Sequence, residues 1–177
     1  GVLYATDVVG DQLQNIVASL KLATGVDIWI GTLGVGVVAN ERAAFDRPAA
    51  VAMILDIPSS NYRMLPISPI PGSLPEDVQQ WVETVRPSSG LVHADPSSPT
   101  IATMIEGIAE RTGAYLVGGL TCSRGPQHQL AGDVGSGGLS GALFSPDIAV
   151  TAGLSQGCSP LGPTRQITAG ESNIVYE

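Results

Sequence analysis

Two stretches of the sequence, GVLYATD at residues 1–7 and GLVHAD at residues 90–95, share a short apolar run that ends near an aspartate. Apolar runs of this length and composition are typical of buried strands. Each is followed by apolar residues at helical spacing and then by Thr-Gly, at 24–25 and 112–113. Glycine directly after the last helical residue is typical of a helix end. The pattern predicts two strand-helix units along the chain.

The similarity continues beyond the helices, because an apolar strand then enters glycines at Gly31 and at Gly118-Gly119. We interpret residues 1–68 and 90–154 as an internal repeat, with two late strands at 138–145 and 147–154 and a joining helix at 75–86. Chance matching at Gly and Thr-Gly positions is the competing interpretation. The predicted fold class is α/β: a layered α/β sandwich with mixed sheets, built as two duplicated strand-helix-strand-strand-strand halves within one domain, 1–177.

Composition limits the function classes. The 177 residues suit one domain with a sizeable core, and 44% of them are hydrophobic. A net charge of −8 opposes binding to nucleic acid or to an anionic membrane surface. Two cysteines are too few for a disulfide framework, and the start, GVLY, has no secretory signature. We expect a cytoplasmic protein.

Glycine-rich loops are the candidate ligand-binding elements, since glycine lets a backbone approach a ligand closely and exposes its amides. Such loops occupy residues 31–36, 118–124 and 153–163. A plain surface loop is the alternative interpretation of each. The candidate ligand-binding residues in and beside these loops are Thr32, Gly34, Gly118, Gly119, Thr121, Ser123, Gln156, Gly157, Cys158 and Arg165.

Catalytic and metal chemistry have weaker support in the sequence. Cys158 as a nucleophile needs a base, and His93 and His128 are the only histidines. No local triad signature is present, and no pair of histidines and cysteines has the spacing of metal ligands. A haem needs only one axial ligand, for which His93 or His128 would be the candidate.

The strings GGLSGALFS (137–145), GLSQGCSPLGP (153–163) and GESNIVYE (170–177) resemble the N-terminal FIST domain (F-box and intracellular signal transduction). Residues 24–36 and 116–120 are also similar to that family. The resemblance covers nearly the whole chain.

The resemblance implies an intracellular sensory module, which binds small ligands such as amino acids. The polar residues of the loop at 118–124 add small carboxylates as candidate ligands, and we expect no cofactor. The resemblance also implies two partners: a C-terminal FIST domain, absent from this chain, and a signalling output such as a histidine kinase. Some family members resemble haem-based nitric-oxide sensors. We therefore predict a small-ligand sensor and no enzyme activity. The alternatives are a haem sensor, an enzyme that uses Cys158, and a protein-interaction scaffold.

Overall fold

The structure is a computed structural model that describes residues 1–155, 157–171 and 174–176. The described residues form the α-helices α1 (Leu13–Thr24), α2 (Glu76–Val85) and α3 (Ile101–Thr112). Their strands are β1 (Val2–Thr6), β2 (Ile30–Gly34), β3 (Gly36–Ala39), β4 (Arg42–Phe45), β5 (Ala50–Met53), β6 (Tyr62–Ser68), β7 (Ser89–Ala94), β8 (Tyr115–Leu120), β9 (His128–Ala131), β10 (Asp133–Ser136), β11 (Leu139–Phe144), β12 (Gly170–Glu171) and β13 (Ile174–Val175).

Two mixed sheets organise the chain. The first has the strand order β10-β9-β2-β1-β5, and the second has the order β6-β11-β7-β8. Only the pairs β1-β2 and β7-β8 are parallel among the described ladders. The predicted layered α/β fold class is confirmed.

The two parallel pairs belong to β-α-β units of the same build, β1-α1-β2 and β7-α3-β8. Leu3 lies opposite Gly31 in the first unit, and Val92 lies opposite Gly118 in the second. Both glycines have positive φ, +155° and +147°, and a Cβ on either would lie 1.7 or 1.8 Å from the carbonyl oxygen opposite. Both positions therefore require glycine.

The core is layered because each helix covers one sheet face. α1 contributes Leu13 and Val17 to a buried cluster with Leu3 of the first sheet and with Trp29, the residue before β2. α2 and α3 cover the second sheet through a separate cluster. Its buried members are Leu65, Val78, Trp81, Val82, Val92, Met104, Ile108, Ala114, Leu139 and Leu143. α2 lies where the joining helix was predicted.

One strand prediction is wrong. Residues 147–154 form no strand, and every described residue from 149 to 176 is exposed. The turn residues Ser145-Pro146-Asp147 favoured a hairpin with β11 there, but in the structure this segment pairs with no described strand. None of the helices in the described ranges is long and apolar enough to cross a bilayer.

Candidate functional site

A cavity of about 290 Å³ lies where the two β-α-β units meet, and we call it the central cavity. Both units contribute backbone and side chains to its wall. The described residues that line it are Tyr4, Thr32, Leu33, Gly34, Gly36, Val37, Val38, Val51, His93, Gly118, Gly119, Leu120 and Cys122. The wall contains no Lys, Arg, Asp or Glu among these, so a bound ligand would meet mainly apolar surface and a few polar groups.

Tyr4 and His93 form the polar contact between the units at this wall. The Tyr4 hydroxyl hydrogen bonds to Nε2 of His93 at 3.0 Å, and the rings meet edge to face with centroids 5.4 Å apart. His93 is only 2% exposed, and its Nδ1 is buried without a hydrogen-bond partner among the described residues. Burial lowers the pKa of His93 to about 4, so the imidazole is neutral at pH 7. A buried, unpaired ring nitrogen is costly unless a ligand or water satisfies it.

A second buried contact closes the floor of the cavity. The hydroxyls of Thr32 and Thr121 lie 2.6 Å apart, and Thr32 also donates to the carbonyl of His128 at 3.2 Å. The amide of Cys122 donates to the carbonyl of Leu33 at 3.3 Å. These bonds attach the loop that follows β8 to the end of β2, so the two units share one wall.

The open edge of β8 supplies backbone groups beside the cavity. The amides of Tyr115 and Thr121 donate to carbonyls on the β7 side, Ser88 and Ala94, at 3.0 and 2.8 Å. Because hydrogen bonds to a parallel neighbour involve every second residue of a strand, residues 116, 118 and 120 turn their N–H and C=O groups away from β7. No described strand pairs with β8 on that side. Gly118 therefore offers one donor and one acceptor next to each other at the cavity.

An ion-pair cluster holds three loops together near this site. The Arg124 guanidinium donates to both carboxylate oxygens of Asp7 at 2.8 Å and also pairs with Asp46. These hydrogen bonds hold the pKa of the Asp7 carboxyl well below its usual range. Arg124 is thus engaged by carboxylates of the chain itself and is not a free cation for an anionic ligand.

Comparison with known proteins identifies the family. The family model of the FIST N domain matches residues 1–177. The chain belongs to the FIST N domain family. No curated protein and no solved structure matches it. FIST domains are signal-transduction sensory domains and are not a known enzyme family.

The FIST N domain brings some predicted ligand-binding residues together. Thr32, Gly34, Gly118 and Gly119 line the central cavity, and Thr121 lies directly behind Thr32. Ser123 is half-buried, and its amide and hydroxyl bond within its own loop, to Gln127 and Gly125.

The other predicted ligand-binding residues lie elsewhere in the FIST N domain. Gly157, Cys158 and Arg165 are exposed on the segment after β11, and Gly157 has no atom within 4 Å of an added Cβ. Gln156 lies outside the described residues. The segment stays away from the central cavity because no described strand holds it against either sheet.

Several lining residues were missed as ligand contacts, above all Tyr4, Cys122 and the valines of β3 and β5. His93 was considered as a haem ligand and as a base for Cys158, but not as a contact of a small ligand. Tyr4 and His93 are separated by 89 positions, the same distance along the chain that separates the similar strings at 1–5 and 90–94. Residues at matching positions of two similar units are the ones that meet where the units face each other. That offset was the signal that could have identified the pair.

Haem does not fit the histidines of the FIST N domain. Nε2 of His93 is bonded to Tyr4 and its Nδ1 is buried, so neither ring nitrogen is accessible to an iron atom. His128 uses Nδ1 to bond Ser136 at 2.9 Å and does not line either of the two larger cavities. Within the described ranges, no group of three or more His, Cys, Asp or Glu side chains is placed to bind a metal ion.

A second cavity, of about 310 Å³, lies at the other end of the strands. Its wall is formed largely by apolar side chains, including Ile28, Ile57, Met64 and Phe144. Asp27 is the charged side chain in this wall. The second cavity has neither a histidine nor glycines from two facing strand ends in its wall, so the central cavity has the stronger chemical features for specific binding.

Proposed function

We propose that this FIST N domain is a small-ligand sensor and that an amino acid or a related small carboxylate binds in the central cavity. The observation that carries the proposal is the meeting of glycine-bearing strand ends from both units around one cavity. Clefts at strand ends and between similar halves are common ligand sites. The cavity volume of about 290 Å³ suits a small molecule.

The polar groups at the wall favour an amino acid over a simple carboxylate. No positively charged side chain lines the cavity in the described part of the chain, so nothing there neutralises a lone carboxylate. The outward N–H and C=O of Gly118 could instead bind a carboxylate and an ammonium group together. Val37, Val38 and Val51 would contact the apolar part of the ligand side chain.

Signalling would follow from the position of the ligand between the units. A ligand that contacts β2 on one side and β8 on the other favours the packing of the units that fits both contacts, and so shifts the population toward it. The C-terminal FIST domain and a histidine kinase are the proposed receivers of that change, in the cytoplasm.

A thermal-shift screen tests the ligand proposal. The twenty amino acids and a set of small carboxylates are added one at a time, and a compound that binds only the folded state must raise Tm. At 100 times its Kd a ligand adds about 2.7 kcal/mol, which corresponds to roughly 5–10 °C for a domain of this size. A screen without any stabilising compound would contradict the proposal.

Two matched variants locate the site. Gly119 lines the cavity and has no atom within 4 Å of an added Cβ, so Gly119→Phe would fill the cavity without a backbone collision. Gly157→Phe places the same ring on the exposed segment after β11. We expect Gly119→Phe to abolish the ligand-induced rise in Tm and Gly157→Phe to preserve it. If Gly157→Phe abolished the rise and Gly119→Phe preserved it, the ligand would bind at the loop at 153–163 instead.

A further inference from the structure

The first sheet ends at β5 with an unpaired edge. The amide of Thr6 donates to the carbonyl of Ala49 at 2.9 Å, which fixes the alternation along the antiparallel β1-β5 pair. By that alternation Val51 and Met53 turn their backbone groups toward β1, and residues 50, 52 and 54 turn theirs toward the open edge. No strand of the described residues pairs with that edge.

In the second unit, β11 is the counterpart of β5. The amide of Asp95 donates to the carbonyl of Gly138 at 2.8 Å, which repeats the bond from Thr6 to Ala49 at an offset of 89 in both residues. β11 pairs antiparallel with β7 on one side, as β5 pairs with β1. On its other side β11 carries β6, also antiparallel. The two units thus differ at this edge, where β11 has an outer strand and β5 has none among the described residues.

The missing strand leaves apolar side chains uncovered. At the end of β5 and just after it, the exposed fractions are 53%, 53% and 40% for Met53, Ile54 and Leu55. The residues 89 positions later, at the matching place in β11, are buried. The exposed fractions there are 4% for Ala142, 0% for Leu143 and 9% for Phe144. Contiguous exposed apolar side chains beside an open strand edge favour pairing with another segment.

The segment that matches β6 is part of this chain. Shifted by 89 positions, the start of β6 falls on residues 151–155, which are exposed and unpaired with any described strand. Leu65 of β6 is 2% exposed, whereas Leu154 at the matching position is 92% exposed. We propose that residues 151–155 add to the free edge of β5 as an antiparallel strand, as β6 adds to β11.

The connection is long enough for this pairing. Residues 56–61 lead from the Leu55 position to the start of β6, and residues 145–150 lead from Phe144 to residue 151, six residues in each case. Ile148 already packs against the cluster that contains Val2, and Val2 lies opposite Met53 in the ladder. Three further residues of extended chain span about 10 Å.

The register follows from the pairs observed between β6 and β11. Leu65 lies opposite Gly141, so Leu154 would lie opposite Ala52. Leu65 is buried in one cluster with Val92 and Leu143. The same shift would place Leu154 against Leu3 and Ile54, on the face of the sheet that α1 covers. The pairing would thus bury an exposed leucine on an exposed isoleucine, which burial of apolar surface favours.

Hydrogen exchange measured by NMR on the full chain tests the pairing with an internal control. The amides of Val51 and Met53 bond to β1 and are protected in either case. The amides of Ala52 and Ile54 are protected only if a strand covers the edge. We expect exchange at Ala52 and Ile54 to be slowed about 100-fold or more relative to an unstructured peptide.

Two variants identify the covering segment. Leu154→Asp should return the amides of Ala52 and Ile54 to fast exchange and leave those of Val51 and Met53 unchanged. Leu161→Asp is the control, because Leu161 is equally exposed on the same segment but lies outside the proposed strand. We expect the control to exchange as the unsubstituted chain does.

Three results would overturn the proposal. Fast exchange at Ala52 and Ile54 in the unsubstituted chain would show an uncovered edge. Protection that survives Leu154→Asp would show that another segment covers it. Protection that increases with protein concentration would show that a second copy does. The test needs no ligand, so it is independent of the proposed sensor function.

Discussion

The two β-α-β units have the same internal build but different neighbours. Within each unit the strand register and the glycine at the close contact match. Outside it, β9 covers the edge of β2, whereas the edge of β8 is open in the described structure. One residue joins β2 to β3, while seven join β8 to β9, so only the second hairpin can cross to the other unit. The features that the two units share thus form the walls of the central cavity. Their connections of unequal length leave the edge of β8 free beside it.

The chemistry of the central cavity comes from positions where the units differ. Tyr4 of one unit contacts His93 of the other. In a fully symmetric molecule these two matching positions would carry the same residue. Thr32 lies opposite Tyr4 in its ladder, and Gly119 lies opposite His93. One side of the cavity is therefore rich in hydroxyl groups and the other is nearly bare backbone.

The largest predicted effect tests whether the two units are equivalent in build. Gly31→Ala and Gly118→Ala each bring a Cβ to within 2 Å of a carbonyl oxygen, 1.7 Å from Leu3 and 1.8 Å from Val92. We expect each to lower the free energy of unfolding by about 3–5 kcal/mol, measured by urea denaturation. Similar losses would support equivalence, and a large loss at only one site would break it.

Gly119→Ala is the matched control for that experiment. It changes the neighbouring residue in the same strand, where an added Cβ meets no atom within 4 Å. We expect its free energy of unfolding to stay within about 0.5 kcal/mol of the unsubstituted chain. A large loss of stability in this control would mean that β8 tolerates no side chain at all. The losses at Gly31 and Gly118 would then not be due to the collision with a carbonyl oxygen.

The second effect concerns the side chain in which the units differ most. Burial lowers the pKa of His93 to about 4, below its value near 6.5 in an unfolded chain. Between these two pH values the unfolded chain binds a proton that the folded chain does not, so stability falls as pH drops from 6.5 to 4. The loss should be on the order of 3 kcal/mol.

His93→Gln removes this titration while it keeps a polar side chain beside Tyr4. Urea denaturation of both proteins between pH 4 and 7 gives the difference in their pH dependence. We expect the variant to lose less stability than the unsubstituted chain over this range. Parallel curves would show that His93 is accessible to protons in the folded state.

The smallest effect concerns the ion pairs that join the units at the surface. The Arg124 and Asp46 side chains are exposed, so solvent screens their pair. The Asp7 side chain is only 5% exposed, but it keeps the backbone amide of residue 124 as a donor when the guanidinium is removed. We expect Arg124→Gln to lower Tm by about 2 °C or less at low salt, because exposed ion pairs contribute little. The difference should shrink in 1 M NaCl, and a difference that salt does not change would argue against an electrostatic origin.

The sequence was sufficient for the elements that have local signals. The Thr-Gly helix ends, the apolar run at 2–5 and the prolines before α2 located helices and strands within a few residues. β9 and β10 were missed, because short strands beside Gly132 and Gly135 carry little periodicity. The strand at 147–154 was predicted from the turn at 145–147, and a turn does not show whether the chain beyond it pairs with a strand.

The site was only partly predictable for a similar reason. Glycines mark close backbone contacts, and Thr32, Gly34, Gly118 and Gly119 were found through them. The contact of Tyr4 with His93 depends on how two sheets pack, which no local pattern encodes. The glycine-rich loop at 153–163 was the strongest local feature of the sequence, yet the central cavity is built from other residues.

The most direct test of the central claim is an NMR titration of the full chain with the amino acid that raises Tm most in the screen. Binding in the central cavity predicts the largest chemical-shift changes at the amides of Gly118 and Gly119 and at the His93 ring, and no saturation in Gly119→Phe. Shift changes confined to residues 153–165, with unaltered binding by Gly119→Phe, would contradict the account.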